Sequence, residues 1–150
     1  MRLEDAIQQR RFRNEHLKVM VNLLYSHSWL EEKIKCFLKK QDVTMQQYNI
    51  LRILRGAKHP LSTMQIRERM LDRMSDTSRI IDRMITKGIV EKKLNDADKR
   101  LVDITITQKG LAILSALDEL NTELDNIVGN NISCDEAKML NDLLDKMRGD

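Results

Sequence analysis

The sequence predicts a mainly α-helical protein that carries one small β-hairpin. Three observations support this class. Apolar side chains recur at helical spacing in residues 75–87. Residues 89–94 and 101–107 alternate apolar and polar side chains with the period of a strand. Three Ser/Thr-x-x-Gln/Glu patterns mark the starts of further helices. The chain is therefore expected to be a series of helices interrupted once by two antiparallel strands.

Length and composition predict one domain outside the membrane. The 150 residues are 41% hydrophobic, which is enough for a modest core. Apolar runs of about 18 residues are absent and the first thirty residues carry charges throughout, so we expect no membrane span, no secretory signal and a cytoplasmic location. Cys36 and Cys134 are too few and too far apart for a disulfide framework, and reduced thiols are expected.

The net charge of +3 hides an uneven distribution along the chain. Residues 1–57 hold 11 Lys/Arg against 6 Asp/Glu, residues 58–107 hold 11 against 8, and residues 108–150 hold 4 against 9. Oppositely charged ends can pair with each other, including between two subunits. Two fully solvated faces are the alternative on charge alone.

Helices are predicted on the N-terminal side of the hairpin in three stretches. Residues 3–40 show a long helical pattern, with residues 26–28 as a candidate kink. Thr44 is expected to cap a short helix that stops at Gly56, and Ser62 to cap the next one. The short interval between that helix and residues 75–87 has helix-turn-helix spacing.

Two more helices are predicted after the hairpin. Thr107 is expected to cap a helix that runs to about Val128. Its stripe of Ile113, Leu117, Leu120, Leu124 and Ile127 repeats every four and three residues, as in a coiled coil. Ser133 begins a last helix. We predict that the apolar stripes of the first helix and of these last two helices pack against a second copy of the chain. An intramolecular core is the alternative.

The segment SRIIDRMITKGIVEKK, followed by DKRLVDITITQKG, resembles the MarR family of winged-helix transcriptional regulators. The resemblance includes that family's wing pattern, here Asp98, Arg100, Ile106 and Thr107, and is most specific between residues 61 and 110. It implies a winged helix-turn-helix lobe at 44–107 and N- and C-terminal dimerisation helices at 1–43 and 108–150. It also implies a homodimer bound to a palindromic site in double-stranded DNA.

The resemblance implies that the helix of residues 75–87 enters the major groove and that Arg100 reaches the minor groove, held by Asp98. A solvated surface ion pair is the alternative. Thr77 lies on the apolar stripe as well as near the helix start, so burial is as open as DNA contact. The lysines and the Ser62–Thr63 helix start are expected to position phosphates. The predicted DNA-binding set is Ser62, Thr63, Ser75, Asp76, Thr77, Ser78, Arg79, Arg83, Lys92, Lys93, Asp98, Lys99 and Arg100.

A small aromatic effector, bound between the dimerisation region and the DNA-binding lobe, is a further implication of the resemblance. Candidate residues are Tyr25, Trp29, Met45 and Tyr48, with simple packing of these side chains as the alternative. No cofactor is expected, and the histidines and cysteines lack zinc-type spacing, so no metal is expected either. Some family members sense oxidants through a cysteine in the first helix, but burial is the favoured expectation for Cys36.

An enzyme is not expected because the chain lacks a phosphate-binding glycine loop, a nucleophile elbow and a paired metal motif. The sequence instead predicts a sequence-specific DNA-binding transcriptional regulator. Ligand-responsive repression is the family's commoner mode of action. Two alternatives stay open: a redox sensor that uses Cys36, and a helical dimerisation module that does not bind DNA.

Overall fold

A computed structural model describes residues 1–149, which form eight α-helices and one two-stranded antiparallel sheet. The predicted fold class, mainly α with one β-hairpin, is confirmed. The elements are α1 (Leu3–Ala6), α2 (Glu15–Leu38), a 3-10 turn (Lys39–Gln41), α3 (Met45–Ala57), α4 (Thr63–Arg69), α5 (Thr77–Lys87), β1 (Val90–Leu94), β2 (Val102–Ile106), α6 (Gln108–Asp118), α7 (Asn121–Gly129) and α8 (Cys134–Arg148).

The chain divides into two compact units. The central unit comprises Leu38–Asn126, and the terminal unit comprises Met1–Phe37 together with the chain from Ile127 onward. The central unit is wider than the predicted lobe of residues 44–107, because it also includes α6 and most of α7. No helix among residues 1–149 is both long enough and apolar enough to span a bilayer.

Local capping bonds define the helix starts of the central unit. The Thr44 hydroxyl accepts a hydrogen bond from the Gln47 backbone N–H at 3.1 Å, and the Gln47 side chain accepts one from the Thr44 N–H at 3.2 Å. Ser62 and Gln65 repeat this arrangement at the start of α4. Both predicted caps are confirmed. The predicted stop at Gly56 is wrong, because α3 continues to Ala57 and Lys58 takes the left-handed conformation there (φ 59°).

The core of the central unit is built around α3, which packs against α4, α5, α6 and β2. Ile50 and Leu51 of α3 are fully buried, as is Met84 of α5. Leu61, between α3 and α4, exchanges backbone hydrogen bonds with Ile104 of β2 at 3.1 and 2.8 Å. This bridge joins the helix-turn-helix segment to the hairpin, and it was not predicted from the sequence.

A close approach joins the start of α6 to the start of the hairpin. The Thr107 hydroxyl accepts from the Gly110 N–H at 3.2 Å and donates to the Gly88 carbonyl at 2.7 Å, so the predicted cap is confirmed. A Cβ on Gly110 would lie 2.4 Å from the Ile89 carbonyl oxygen. Glycine is therefore required at this position for a steric reason.

The helix predicted from Thr107 to Val128 is wrong in one respect, because it is two helices separated at Glu119 and Leu120. Ile113 and Leu117 are buried on α6, which packs against α3. The first part of the predicted interchain stripe thus belongs to the chain's own core. A spacing of four and three residues cannot distinguish these two uses.

The N-terminal helix also departs from the prediction. It breaks after Ala6, Gln8 takes a left-handed conformation (φ 54°), and α2 begins at Glu15. The Asn14 side chain accepts from the Leu17 N–H at 2.8 Å and so caps this new start. The helix then runs to Leu38 with no break at residues 26–28.

Apolar side chains remain exposed on the two long terminal helices. Helix α8 is capped as predicted, by Ser133 and Glu136, but it has no buried residue. Helix α2 is likewise exposed along much of its length. The exposed apolar residues are Val19, Met20, Leu24, Tyr25 and Trp29 on α2 and Met139, Leu140, Leu143 and Met147 on α8.

Candidate nucleic-acid interface

Helix α5 presents a polar face because its apolar face is anchored in the core of the central unit. Ile81 and Met84 are buried on the inner side. Gly88 ends the helix in the left-handed conformation (φ 76°), as predicted. The outer side exposes Ser78, Arg79 and Arg83. A short helix with hydroxyl and guanidinium groups on one open face is suited to reading base edges in a major groove.

The start of α5 is fixed by Asp76 rather than Ser75. The Asp76 carboxylate accepts from the Arg79 backbone N–H at 3.2 Å, and its other oxygen lies 3.7 Å from Arg79 Nε. Ser75 stands before the helix and donates its hydroxyl to the Asp72 carbonyl at 2.8 Å. Asp76 thus has a structural role as N-cap, and the Arg79 side chain remains largely exposed.

Thr77 was included in the predicted DNA-binding set, but the structure places it in the core. Its exposure is 0%, and its hydroxyl has no hydrogen-bond partner within the described chain. Its position on the apolar stripe of α5 places it against the core. Thr77 is therefore a buried residue of the central unit and does not lie on the exposed face.

The hairpin tip positions Arg100 through Asp98. Arg100 Nε donates to one carboxylate oxygen at 3.0 Å and a terminal guanidinium nitrogen donates to the other at 3.0 Å. The Arg100 backbone N–H adds a third bond to the same carboxylate at 3.1 Å. These bonds lower the pKa of Asp98 and raise that of Arg100. The predicted pair is thus present, with the Arg100 side chain still 90% exposed.

Asn95 organises the same tip and was missed by the sequence analysis. Its side-chain NH₂ donates to both carboxylate oxygens of Asp103, at 3.2 and 3.1 Å. Its side-chain carbonyl accepts from the backbone N–H groups of Ala97 and Asp98, each at 2.9 Å. An asparagine at the start of a polar turn is the local signal for this arrangement. The seven-residue connection between β1 and β2 is consequently a hydrogen-bonded turn.

Further basic side chains surround these two elements. Lys92, Lys93 and Lys99 are exposed on the hairpin, while Ser62 and Thr63 are partly exposed at the start of α4. Three further arginines, absent from the predicted set, are exposed on α4 and in the following turn: Arg67, Arg69 and Arg73. Exposed cations of this kind attract phosphates without choosing a sequence.

The predicted effector residues are not all in one unit. Tyr25 and Trp29 are exposed in the terminal unit. Met45 and Tyr48 belong to the central unit, where the Tyr48 hydroxyl accepts from Arg52 at 3.1 Å. A cavity of about 330 Å³ in the central unit is lined by other residues. They are Leu54, Arg55, Lys58, His59, Pro60, Thr105, Ile106 and Leu111.

The two thiols are exposed, so the expected burial of Cys36 is wrong. Its neighbour Phe37 is buried instead, which places Cys36 on the outer side of α2. Within residues 1–149, no three His, Cys, Asp or Glu side chains are grouped closely enough to hold a metal ion.

Comparisons with known proteins agree with this arrangement. A sequence model of the MarR family matches residues 41–101. The multiple antibiotic resistance protein MarR of Escherichia coli is 29% identical over 112 residues, 74% of this chain and 77% of that protein. A mutant MarR from E. coli, crystallised with operator DNA, is similar in structure with a TM-score of 0.80 at 24% identity, over 92% of this chain and 99% of that one.

A second similar structure is the organohalide-sensing transcriptional regulator RdhR with bound 2,4-dichlorophenol. Its TM-score is 0.82 at 19% identity, over 93% of this chain and 85% of that one. At such identities the two structural likenesses establish the fold alone. The predicted winged helix-turn-helix architecture is confirmed.

Proposed function

The chain belongs to the MarR family of DNA-binding transcriptional regulators, and we propose that it is a homodimeric, ligand-responsive repressor that binds a palindromic operator. Family members regulate transcription and are not enzymes. The observation that carries the proposal is the pairing of an exposed polar helix face with a preformed wing in the same unit. Arg79 lies on this helix face, and Arg100 lies on the wing.

Each element has the chemistry for a different groove. Arg79 projects from the first turn of α5, where a guanidinium can donate two hydrogen bonds to a guanine edge in the major groove. Arg100 is held at the hairpin tip by Asp98, and an arginine is favoured in the strong negative potential of a narrow minor groove. Lys92, Lys93 and Lys99 would add phosphate contacts and salt dependence.

A second copy of the chain is the proposed partner of the exposed apolar faces on α2 and α8. Covering one leucine-sized side chain contributes about 1.5 to 3 kcal/mol, so several such residues give a substantial driving force. The positive net charge of residues 1–57 and the negative net charge of residues 108–150 favour pairing between the ends of two chains. Two-fold symmetry would then place two copies of α5 roughly 10 to 11 base pairs apart on DNA.

The proposed effector is a small aromatic acid or phenol. Support comes from the 2,4-dichlorophenol bound by the structurally similar RdhR, and from the exposed rings of Tyr25 and Trp29. Repression is proposed because it is the commoner action in the family. A panel of benzoates and phenols added to the operator complex should include compounds that release the DNA from wild type and fail to release it from Trp29→Ala. If no compound lowers DNA affinity, this part of the proposal fails.

Selection of binding sites from random duplexes tests the DNA-binding proposal. The recovered sequences should form an imperfect palindrome with half-site centres roughly 10 to 11 base pairs apart. Arg79→Ala should relax the preference at symmetric positions in both half-sites, whereas Lys93→Ala should weaken all sequences equally. A single asymmetric site, or an unaltered preference for Arg79→Ala, would contradict the proposed arrangement. Failure to enrich any sequence would leave the dimerisation module as the better description.

A further inference from the structure

Two large apolar side chains project from the turn between α4 and α5. Leu71 is 90% exposed and Met74 is 94% exposed, whereas Met70 in the same turn is buried. Thus one methionine anchors the turn and two apolar side chains remain in solvent. Neither contributes to the core of the central unit.

Hydrogen bonds hold this turn in place, so its exposed side chains are presented by an ordered backbone. The Leu71 N–H donates to the Asn49 side chain of α3 at 2.9 Å. The Met74 N–H donates to the Asp72 carboxylate at 3.0 Å, and the Ser75 hydroxyl donates to the Asp72 carbonyl at 2.8 Å. Asp76 then caps α5 directly after the turn.

The surroundings of the two side chains are charged and not apolar. Arg69 and Arg73 are exposed in the same segment, on either side of the exposed Asp72. Arg79 is exposed in the first turn of α5, where its guanidinium lies 3.7 Å from the Asp76 carboxylate. An apolar protein partner would have to cover these charged groups, at a desolvation cost. A DNA major groove suits the combination, because phosphates flank it and the 5-methyl group of thymine is an apolar feature of its floor.

We propose that Met74 and Leu71 contact thymine 5-methyl groups in each half-site, next to the base pair that Arg79 reads. The inference rests on the proposed DNA binding and adds the chemical class of base that this turn selects. Residues at the N-terminal end of a recognition helix are the ones that reach base edges. The unbranched, flexible side chain of methionine can follow a methyl group whose position varies with local DNA shape.

Replacement of thymine by 2′-deoxyuridine in the selected duplex tests this directly, because only the 5-methyl group is removed. Each thymine is replaced in turn, and the affinity of the full-length protein is measured by fluorescence anisotropy. At one or two symmetric positions per half-site, wild type should lose about four-fold in affinity per methyl. At the position that its own side chain contacts, Met74→Ala or Leu71→Ala should bind the thymine and deoxyuridine duplexes equally, and Met74→Leu should retain most of the discrimination.

The possible failures are distinguishable. If wild type binds the palindrome but is insensitive to deoxyuridine at every position, the inference is wrong and DNA binding stands. If both alanine variants remain as sensitive as wild type, other residues read the methyl groups and the inference is again wrong. If wild type binds no duplex selectively, the proposed function itself fails, and the inference fails with it.

Discussion

The central and terminal units use similar apolar stripes in opposite ways. In the central unit, Ile113 of α6 is only 8% exposed and lies in a core that the same chain completes. In the terminal unit, Leu143 of α8 is 57% exposed, and α8 has no buried residue at all. The central unit is therefore closed by contacts within the chain, whereas the apolar faces of α2 and α8 stay exposed. The proposed second copy would bury them.

The largest expected effect is on the closed unit, through Gly110→Ala. The new Cβ would lie 2.4 Å from the Ile89 carbonyl oxygen and 2.8 Å from the Ile106 side chain. Backbone atoms cannot yield as a flexible side chain can, so we expect a loss of about 3 kcal/mol or more in the free energy of unfolding. Urea denaturation of wild type and variant measures this loss in the free energy of unfolding.

Gly56→Ala is the matched control. Gly56 lies inside α3 and a Cβ there meets nothing within 4 Å. Alanine should stabilise the helix by about 0.5 to 1 kcal/mol, because it has the higher helix propensity. The two alanine substitutions should therefore change the free energy of unfolding in opposite directions. Equal changes would show that the approach of α6 to the hairpin is not close.

The next effect concerns the terminal unit, through Leu143→Asp on α8. If a second copy covers this face, the substitution removes about 2 kcal/mol of apolar burial per chain and introduces an uncompensated charge. Sedimentation should show a shift from dimer to monomer, with the central unit still folded. Asn141→Asp adds the same charge at another exposed position of α8 and should leave assembly nearly unchanged. A wild type that is monomeric at micromolar concentration would contradict the dimer.

A smaller effect is expected at the wing, through Asn95→Ala. This variant loses the bonds to Asp103 and to the turn backbone, which are exposed or part-buried. Operator affinity should fall roughly five-fold, because the wing must be ordered on binding. The free energy of unfolding should fall by about 1 to 2 kcal/mol, because hydrogen bonds are lost without a cavity in the core. Asp96→Ala, at an exposed position of the same turn, is the control. If Asn95→Ala bound the operator as tightly as that control, the order of the wing turn would not contribute to DNA binding.

The smallest effect expected is the response of the Asp98–Arg100 pair to pH. Bonds to Arg100 lower the pKa of Asp98 below its ordinary value of 3.8. A depressed pKa means that the pair is fully formed above pH 4 and is lost only as pH falls through the lowered value. The affinity ratio of wild type to Asp98→Asn should therefore be constant between pH 5 and 8. A ratio that changes within this range would indicate that another group controls Arg100.

Features with local causes were predictable from the sequence. Thr44, Ser62 and Thr107 bond to residues three positions away, so spacing identified them as caps. The pairing of Asp98 with Arg100, two positions away, was implied by the resemblance to the MarR wing pattern. Features that depend on residues far apart in the sequence were not predictable in this way. The Leu61–Ile104 bridge joins residues far apart in sequence. The division between α6 and α7 depends on how the core closes, which periodicity does not encode.

The salt dependence of operator binding distinguishes a dimer with two DNA-binding lobes from a single lobe. Two lobes held in one dimer should contact about twice as many phosphates on the palindrome as one lobe does on a duplex with a single half-site. The slope of log K against log salt concentration, about −0.9 per phosphate contact, should therefore be about twice as steep on the palindrome. Equal slopes on the two duplexes would contradict the dimer, and a flat slope on both would contradict DNA binding by this surface.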